Sequence, residues 1–239
     1  QLDHYFDLRP DQRREVTQRL KPLLSWHRHE AILQYEAVLT DFQQRVERGL
    51  TSDDIDWVYA TYDWLRADLF ELVAGDGGVF LASVEAERAL QKDNRQAVRL
   101  AAAPMGERLR KRAEVTLDGL EEWLGSLSKE QRAQIRAWSL GLPDTQPVWI
   151  AYQQHRQQEL LAFLRQPRTA ESVAEQLRAM FTYPEQSAPP DYRDALYSMR
   201  EAVKRMALAV DQGLTSKQRR HAVGRLQRLI DQVRGVQVE

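Results

Sequence analysis

Apolar residues along this chain recur at spacings of three and four, which is the period of an amphipathic helix. The clearest stripes lie in residues 32–46, 55–73 and 196–210. No alternating run of β-branched residues stands out, and no Asn-Gly or Asp-Gly pair joins two such runs as a hairpin would. The pattern predicts an all-α fold of about nine or ten antiparallel helices joined by short connections.

A short phrase typical of a helix start occurs four times. Three copies carry a hydroxyl at the cap position and a Gln or Asp three residues later, so that each side chain can bond to the other's backbone N–H in a capping box. The fourth places Pro10 where a first helical residue has no partner for its N–H. The copies begin at Leu8, Leu50, Leu127 and Leu214, and those with hydroxyl caps use Thr51, Ser128 and Thr215.

Glycine and proline predict the joints between helices. Pro22 is expected to kink or interrupt the first helix, and Gly75-Asp76-Gly77-Gly78 to form a turn. The segment from Pro184 to Pro190 is expected to be the longest loop. The other predicted breaks are Gly49, Pro104-Met105-Gly106, Gly125, 141–145, Pro167 and Gly213. The intervals are irregular, so we expect no fixed-period solenoid but one curved or bilobed domain over 1–239, with 189–239 as a helical hairpin packed on the body.

Composition excludes several classes of function. The 239 residues carry a net charge of −1, so no overall field favours nucleic acid or an anionic membrane. The chain has no cysteine, which excludes disulfides and thiolate chemistry and fits an oxidising compartment. No apolar run approaches the roughly 20 residues that a membrane-spanning helix needs.

Catalytic motifs are also missing from the sequence. It contains no nucleophile elbow, no phosphate-binding glycine loop and no nucleotide fingerprint. His27 and Glu30, three residues apart, share a helix face and are the best metal candidates, whereas His29 points elsewhere. The plainer interpretation is a polar helix face beside a buried Trp26. Neither a cofactor, a metal nor an enzymatic activity is therefore expected.

Two groups of residues are candidates for binding a partner protein. Tyr5, Phe6 and Trp26 are aromatic side chains of the kind that anchor interfaces, although anchoring of the N-terminal segment against the body is the favoured explanation of the first two. The second group lies in 191–234, where ten basic residues accompany five acidic ones. Its candidate members are Arg200, Lys204, Arg219 and Arg220. The six tryptophans mostly match apolar stripes, so we expect core positions, including Trp149 behind a Thr145 cap.

The Leu-Thr-x-x-Gln-Arg phrase resembles the motif of small periplasmic proteins of the Spy and CpxP type, which are chaperones or stress sensors. A broader resemblance, to a family of proteobacterial lipoproteins of unknown function, rests on five blocks. They are Tyr5-Phe6-Asp7-Leu8, Trp26-His27-Arg28, Gly49-Leu50-Thr51, Trp123-Leu124-Gly125-Ser126-Leu127 and Leu142-Pro143-Asp144-Thr145. A likeness to lipase-specific foldases rests on Phe6-Asp7 alone and lacks the expected Arg at Asp3.

These resemblances imply a lipid-anchored periplasmic protein of the outer membrane, with its anchor preceding Gln1. The leading hypothesis is a non-enzymatic, protein-binding scaffold or chaperone-like factor of the bacterial envelope. One alternative is a specific subunit or regulator of one envelope assembly. Another is a metal-binding or enzymatic protein that uses His27 and Glu30.

Overall fold

A computed structural model describes residues 10–83 and 103–238 of the chain. Within those ranges it contains helices and no strand, which confirms the all-α fold class. The helices are α1 (Pro10–Trp26), α2 (Ile32–Arg48), α3 (Ser52–Ser83), α4 (Met105–Leu124), α5 (Lys129–Gly141), α6 (Gln146–Leu164), α7 (Ala170–Phe181), α8 (Pro184–Ser187), α9 (Pro190–Gln212) and α10 (Ser216–Val238). A π-helical turn, His27–Ala31, joins α1 to α2. If these three consecutive segments are counted as one helix, the described residues form nine helices.

The capping boxes predicted at three helix starts are confirmed. At α3, the Thr51 N–H donates to the Asp54 carboxylate at 2.8 Å, and the Asp54 N–H donates to the Thr51 hydroxyl at 3.3 Å. Ser128 and Gln131 form the same pair of bonds at α5, as do Thr215 and Gln218 at α10. Pro10 is the first residue of α1, as expected.

Two of the predicted glycine stops are left-handed. Gly49 ends α2 with φ +96° and Gly125 ends α4 with φ +77°, a region that L side chains rarely adopt. Gly213 follows the last residue of α9, and Pro167 lies between α6 and α7. These four glycine and proline residues therefore lie at breaks between helices, as the sequence predicts.

The turn predicted at Gly75-Asp76-Gly77-Gly78 is wrong, because all four residues lie inside α3. Gly78 allows close packing instead of a turn. A Cβ added at Gly78 would lie 2.5 Å from the carbonyl oxygen of Ala170 and 2.8 Å from the backbone nitrogen of Ala174. The missing side chain lets α3 and α7 approach each other closely.

Two of the helix breaks predicted from proline are also wrong. Pro22 does not interrupt α1, which continues to Trp26 before the π turn begins. One lost hydrogen bond is outweighed here by the flanking helical turns. The segment from Pro184 to Pro190 is not a long loop, because Pro184 begins α8 and Pro190 begins α9. Proline suits the first position of a helix, where its N–H would have no partner.

The described residues belong to two compact units. Of these residues, unit 1 comprises 10–25, 62–83, 103 and 145–195, and unit 2 comprises 26–61, 104–144 and 196–238. Residues 189–239, for which a packed hairpin is predicted, contain α9 and α10, and α9 belongs to unit 1 up to Ala195.

Each unit has its own apolar core. In unit 1, Leu160 and Leu164 of α6 pack with Val173 and Met180 of α7. In unit 2, α10 packs along α2 and also contacts α4, while α4 packs on α5. The buried side chains of that core are Val46, Leu117, Leu124, Leu127, Ile135, Ala222 and Leu226.

Candidate functional site

The repeated phrases at α5 and α10 bind each other in unit 2. The side-chain amide of Gln131 donates to Gln218 Oε1 at 3.1 Å, and that of Gln218 donates to Gln131 Oε1 at 2.9 Å. Each amide also donates to a carbonyl just before the other phrase: Gln131 to Gly213 O at 2.9 Å and Gln218 to Ser126 O at 3.0 Å. The two phrases are thus related by a local pseudo-twofold arrangement.

This arrangement satisfies both glutamine side chains. Each Oε1 accepts the N–H of its own cap residue, Ser128 or Thr215, at 2.9 Å in addition to the bond from the other glutamine. Both N–H groups of each amide are also used, so neither side chain has a donor left for a ligand. The repeated phrase therefore has a structural role in unit 2.

Removing one of the two glutamines should show how strongly the phrases are coupled. Gln218→Ala is expected to lower the free energy of unfolding by about 2 kcal/mol, because Gln131 and the Ser126 carbonyl lose buried partners. The measurement is urea denaturation of the two single variants and the double variant. A coupling of about 1 kcal/mol between Gln131→Ala and Gln218→Ala supports direct pairing, and strict additivity contradicts it.

The second phrase is held by a buried carboxylate. Asp54 is 1% exposed and accepts hydrogen bonds from Arg45 at 2.6 Å and from both terminal nitrogens of Arg48 at 2.6 and 2.9 Å. Thr51 donates to it through its N–H and its hydroxyl. Hydrogen bonds, the strongest from the Arg48 guanidinium and the others from Thr51 and Arg45, hold the pKa of the Asp54 carboxyl well below its usual range, although burial alone would raise it. Such a group stays ionised and has no proton to transfer.

A second buried carboxylate connects the second and fourth phrases. Asp211, 6% exposed, accepts the Leu50 N–H at 3.0 Å and a two-point contact from Arg219 at 2.9 and 3.1 Å. Arg219 also donates to the Val46 carbonyl at the end of α2, at 2.6 Å. The charge on Arg219 is therefore used within unit 2.

The other basic candidates are engaged in a similar way. Lys204 donates to Asp56 at 2.7 Å, which raises the pKa of the lysine. The Arg200 guanidinium lies 5.1 Å from the centre of the Tyr59 ring, within cation–π range. Arg220 is exposed beside a cleft near the paired capping boxes. Three of the four cations thus have partners in unit 2, so their charges are already used within the protein.

The aromatic candidates differ in whether the structure describes them and in how exposed they are. Tyr5 and Phe6 lie outside the described residues. Trp26, half-buried, is the last residue of α1. The expected core position of Trp149 is wrong, because this ring is 42% exposed, and Thr145 makes no side-chain cap bond at the start of α6.

The metal candidates lie in the π-helical turn. His27 and Glu30 are both exposed, and the His27 ring meets Tyr35 edge-on at 5.7 Å between centroids. The wider π geometry means that the α-helical spacing assumed for the pair does not apply. Within 10–83 and 103–238, no three His, Asp or Glu side chains come close enough to hold a metal ion. In the same ranges no helix is long and apolar enough to cross a membrane.

Unit 2 contains an apolar cavity of about 240 Å³ between α2, α4, α9 and α10. Its walls include a phenyl ring, an indole and several aliphatic chains. Twelve of the fourteen lining residues are apolar, among them Phe42, Val46, Leu120, Trp123, Met206 and Val210.

Unit 1 exposes a row of apolar side chains on α3, which we call the outer seam: Tyr62, Leu65, Leu69 and Leu72. Their spacings of three, four and three residues place them on one side of the helix. Leu65 is half-buried, whereas Tyr62 is 60%, Leu69 38% and Leu72 39% exposed.

The buried side of α3 in unit 1 consists largely of small residues. Ala67 and Ala74 are buried, and Gly78 meets α7. Phe70 stacks on Phe181 at 5.1 Å between ring centroids. The apolar period in 55–73 predicted a core stripe, and this is wrong for the outer seam because small residues bring the opposite side of the helix against α7. The run of Ala and Gly was the available signal for this packing.

Comparison with known proteins gives the chain a family but no activity. The profile of DUF6279, a family of unknown function, matches residues 4–193. The chain belongs to this family. The DUF6279 match includes the outer seam and ends within α9, before the fourth phrase. No curated protein and no solved structure matches the chain significantly.

Proposed function

We propose that this protein is a non-catalytic, protein-binding scaffold of the bacterial envelope that holds apolar segments of other polypeptides on the outer seam of α3. The carrying observation is the seam itself, in which Tyr62, Leu69 and Leu72 are exposed in a regular row. Exposed apolar side chains that are scattered singly are normal, whereas contiguous exposed apolar side chains are typical of interaction surfaces when the patch is large. Apolar contact area supplies affinity without demanding one fixed partner geometry.

Several charged side chains are already paired within the protein, which favours recognition of a client by apolar contact over recognition by charge. The basic side chains of Lys204 and Arg219 are used in ion pairs within unit 2. In unit 1, Arg66 pairs with Glu185 at 3.1 Å and Arg178 with Glu71 at 3.2 Å. An envelope location, through a lipid anchor in the outer membrane, rests on the likeness of the sequence blocks to periplasmic lipoproteins.

One observation favours the alternative of a single, specific partner. The outer seam keeps the spacing of a coiled-coil heptad over all four positions, and three of its side chains, Tyr62, Leu69 and Leu72, are exposed. Such a row fits an amphipathic helix better than an unfolded chain. Recovery of one stoichiometric partner from envelope extract supports the specific subunit, whereas many weak ones support the chaperone-like scaffold.

Replacing the two leucines by lysine tests the proposal. Wild-type protein is expected to slow the aggregation of a chemically unfolded client at equimolar ratio, measured by light scattering. Leu69→Lys with Leu72→Lys should weaken client binding by about tenfold per leucine, because each burial is worth about 1.5 kcal/mol.

A matched control is available in unit 2. Val115 is 64% exposed on α4 and belongs to no apolar row, because its neighbours one turn away are Lys111, Arg112, Asp118 and Gly119. Val115→Lys should leave both client protection and client affinity unchanged. If the control and the double variant lose protection equally, the outer seam is not the binding surface.

A further inference from the structure

The apolar cavity of unit 2 has a lining that offers a ligand no hydrogen bond. Its two polar lining residues are Thr116 and Asp211. The Thr116 hydroxyl donates to the Arg112 carbonyl at 2.9 Å and accepts from Ser139 at 3.3 Å. The Asp211 carboxylate accepts from Leu50 and from Arg219. Both groups are therefore already satisfied by the protein.

A lining without free hydrogen-bonding groups determines which class of ligand the cavity can bind. A peptide segment would bring backbone N–H and C=O groups that need partners, and leaving them unpaired in an apolar site is costly. A sugar, nucleotide or amino acid has the same difficulty. A saturated hydrocarbon chain has no polar group to satisfy, and an apolar wall is its preferred surroundings.

The size of the cavity narrows the choice further. Its volume of about 240 Å³ exceeds that of the roughly 150 Å³ engineered cavity that binds benzene. It falls below the roughly 300 Å³ at which drug-sized pockets begin. We propose that unit 2 holds a single unbranched alkyl chain between Phe42, Trp123, Met206 and Val210, with its head group outside. This proposal is independent of client binding on α3.

The direct test is calorimetry with the purified full chain and monomeric n-alkanols from six to twelve carbons. Affinity should rise about fourfold per added methylene and reach a plateau when the cavity is full. Decanol, decanoate and decyltrimethylammonium should bind within about threefold of one another, because only the chain enters. The absence of a chain-length dependence, or binding of one head group alone, would overturn the proposal.

The same Ala→Leu substitution can be made inside the cavity, where it fills space, and on the surface, where it serves as a control. Ala207 lines the cavity, so Ala207→Leu should move the plateau to shorter chains and weaken dodecanol binding at least tenfold. Ala133 is exposed on α5, so Ala133→Leu should change nothing. Equal dodecanol affinity in both variants contradicts the assignment.

A second measurement applies even if Ala207→Leu does not fold. Trp123 is the only tryptophan among the lining residues of this cavity, so a terminally brominated decanol should quench wild-type fluorescence and quench Trp123→Phe much less. Quenching that persists in Trp123→Phe places the chain elsewhere and overturns the proposal.

Phosphatidylglycerol vesicles test whether the bound alkyl chain comes from a membrane lipid or from a free single-chain molecule. A protein that takes up lipid from these vesicles but binds no monomeric alkanol would also contradict a single-chain site.

Discussion

Replacing Asp54 with alanine is expected to lower the free energy of unfolding by about 3 kcal/mol, since two guanidinium groups lose a buried common partner. The same change removes the capping box of α3, because Thr51 then has no carboxylate to donate to. The measurement is urea denaturation followed by circular dichroism. The matched control is Asp53→Ala, whose side chain is exposed one residue earlier, and it should cost no more than about 0.5 kcal/mol.

The same carboxylate should give stability a pH dependence. The pKa of Asp54 is lower in the folded protein than in the unfolded chain, so its contribution is fully present above the unfolded pKa of about 3.9 and is lost as the pH falls through the folded pKa. The difference in unfolding free energy between wild type and Asp54→Asn should therefore shrink between about pH 5 and pH 2. A difference that stays constant with pH would contradict the ion pairs.

Two identical substitutions on α3 are expected to act in opposite directions. Gly78→Ala should lower the free energy of unfolding by about 2 kcal/mol, because the overpacking against Ala170 and Ala174 outweighs the better helix propensity. Gly75→Ala, three residues earlier, meets nothing within 4 Å and should raise it by up to about 1 kcal/mol.

Thermal unfolding of both variants provides the measurement. Stabilisation by Gly78→Ala would mean that α3 and α7 do not approach as closely as the described structure has them. Destabilisation by Gly75→Ala would indicate a turn at this point, as the sequence alone suggested.

Local signals account for the parts of the fold that were predictable. Thr51, Ser128 and Thr215 start helices because each box closes within four residues, and Gly49 and Gly125 stop them through their own backbone angles. Interactions of such short range can be inferred from neighbouring residues alone.

The parts that could not be predicted depend on distant residues. Gln131 and Gln218 bond to each other across 87 positions, and no local rule pairs them. The absence of a side chain at Gly78 matters because α7 lies close to it, which the neighbouring residues do not indicate. The same packing directs the small residues of α3 inward and leaves Leu69 and Leu72 exposed, so an apolar period alone cannot tell a core stripe from a binding surface.

Photo-crosslinking from α3 tests the central claim of client binding most directly. A benzophenone side chain is placed at Leu72 of the outer seam, and in separate protein at Lys217 of α10, which is exposed in unit 2. The proposed function predicts adducts with an unfolded client from position 72 and few from position 217. Equal yields from the two positions, or none from position 72 while aggregation is still suppressed, would contradict it.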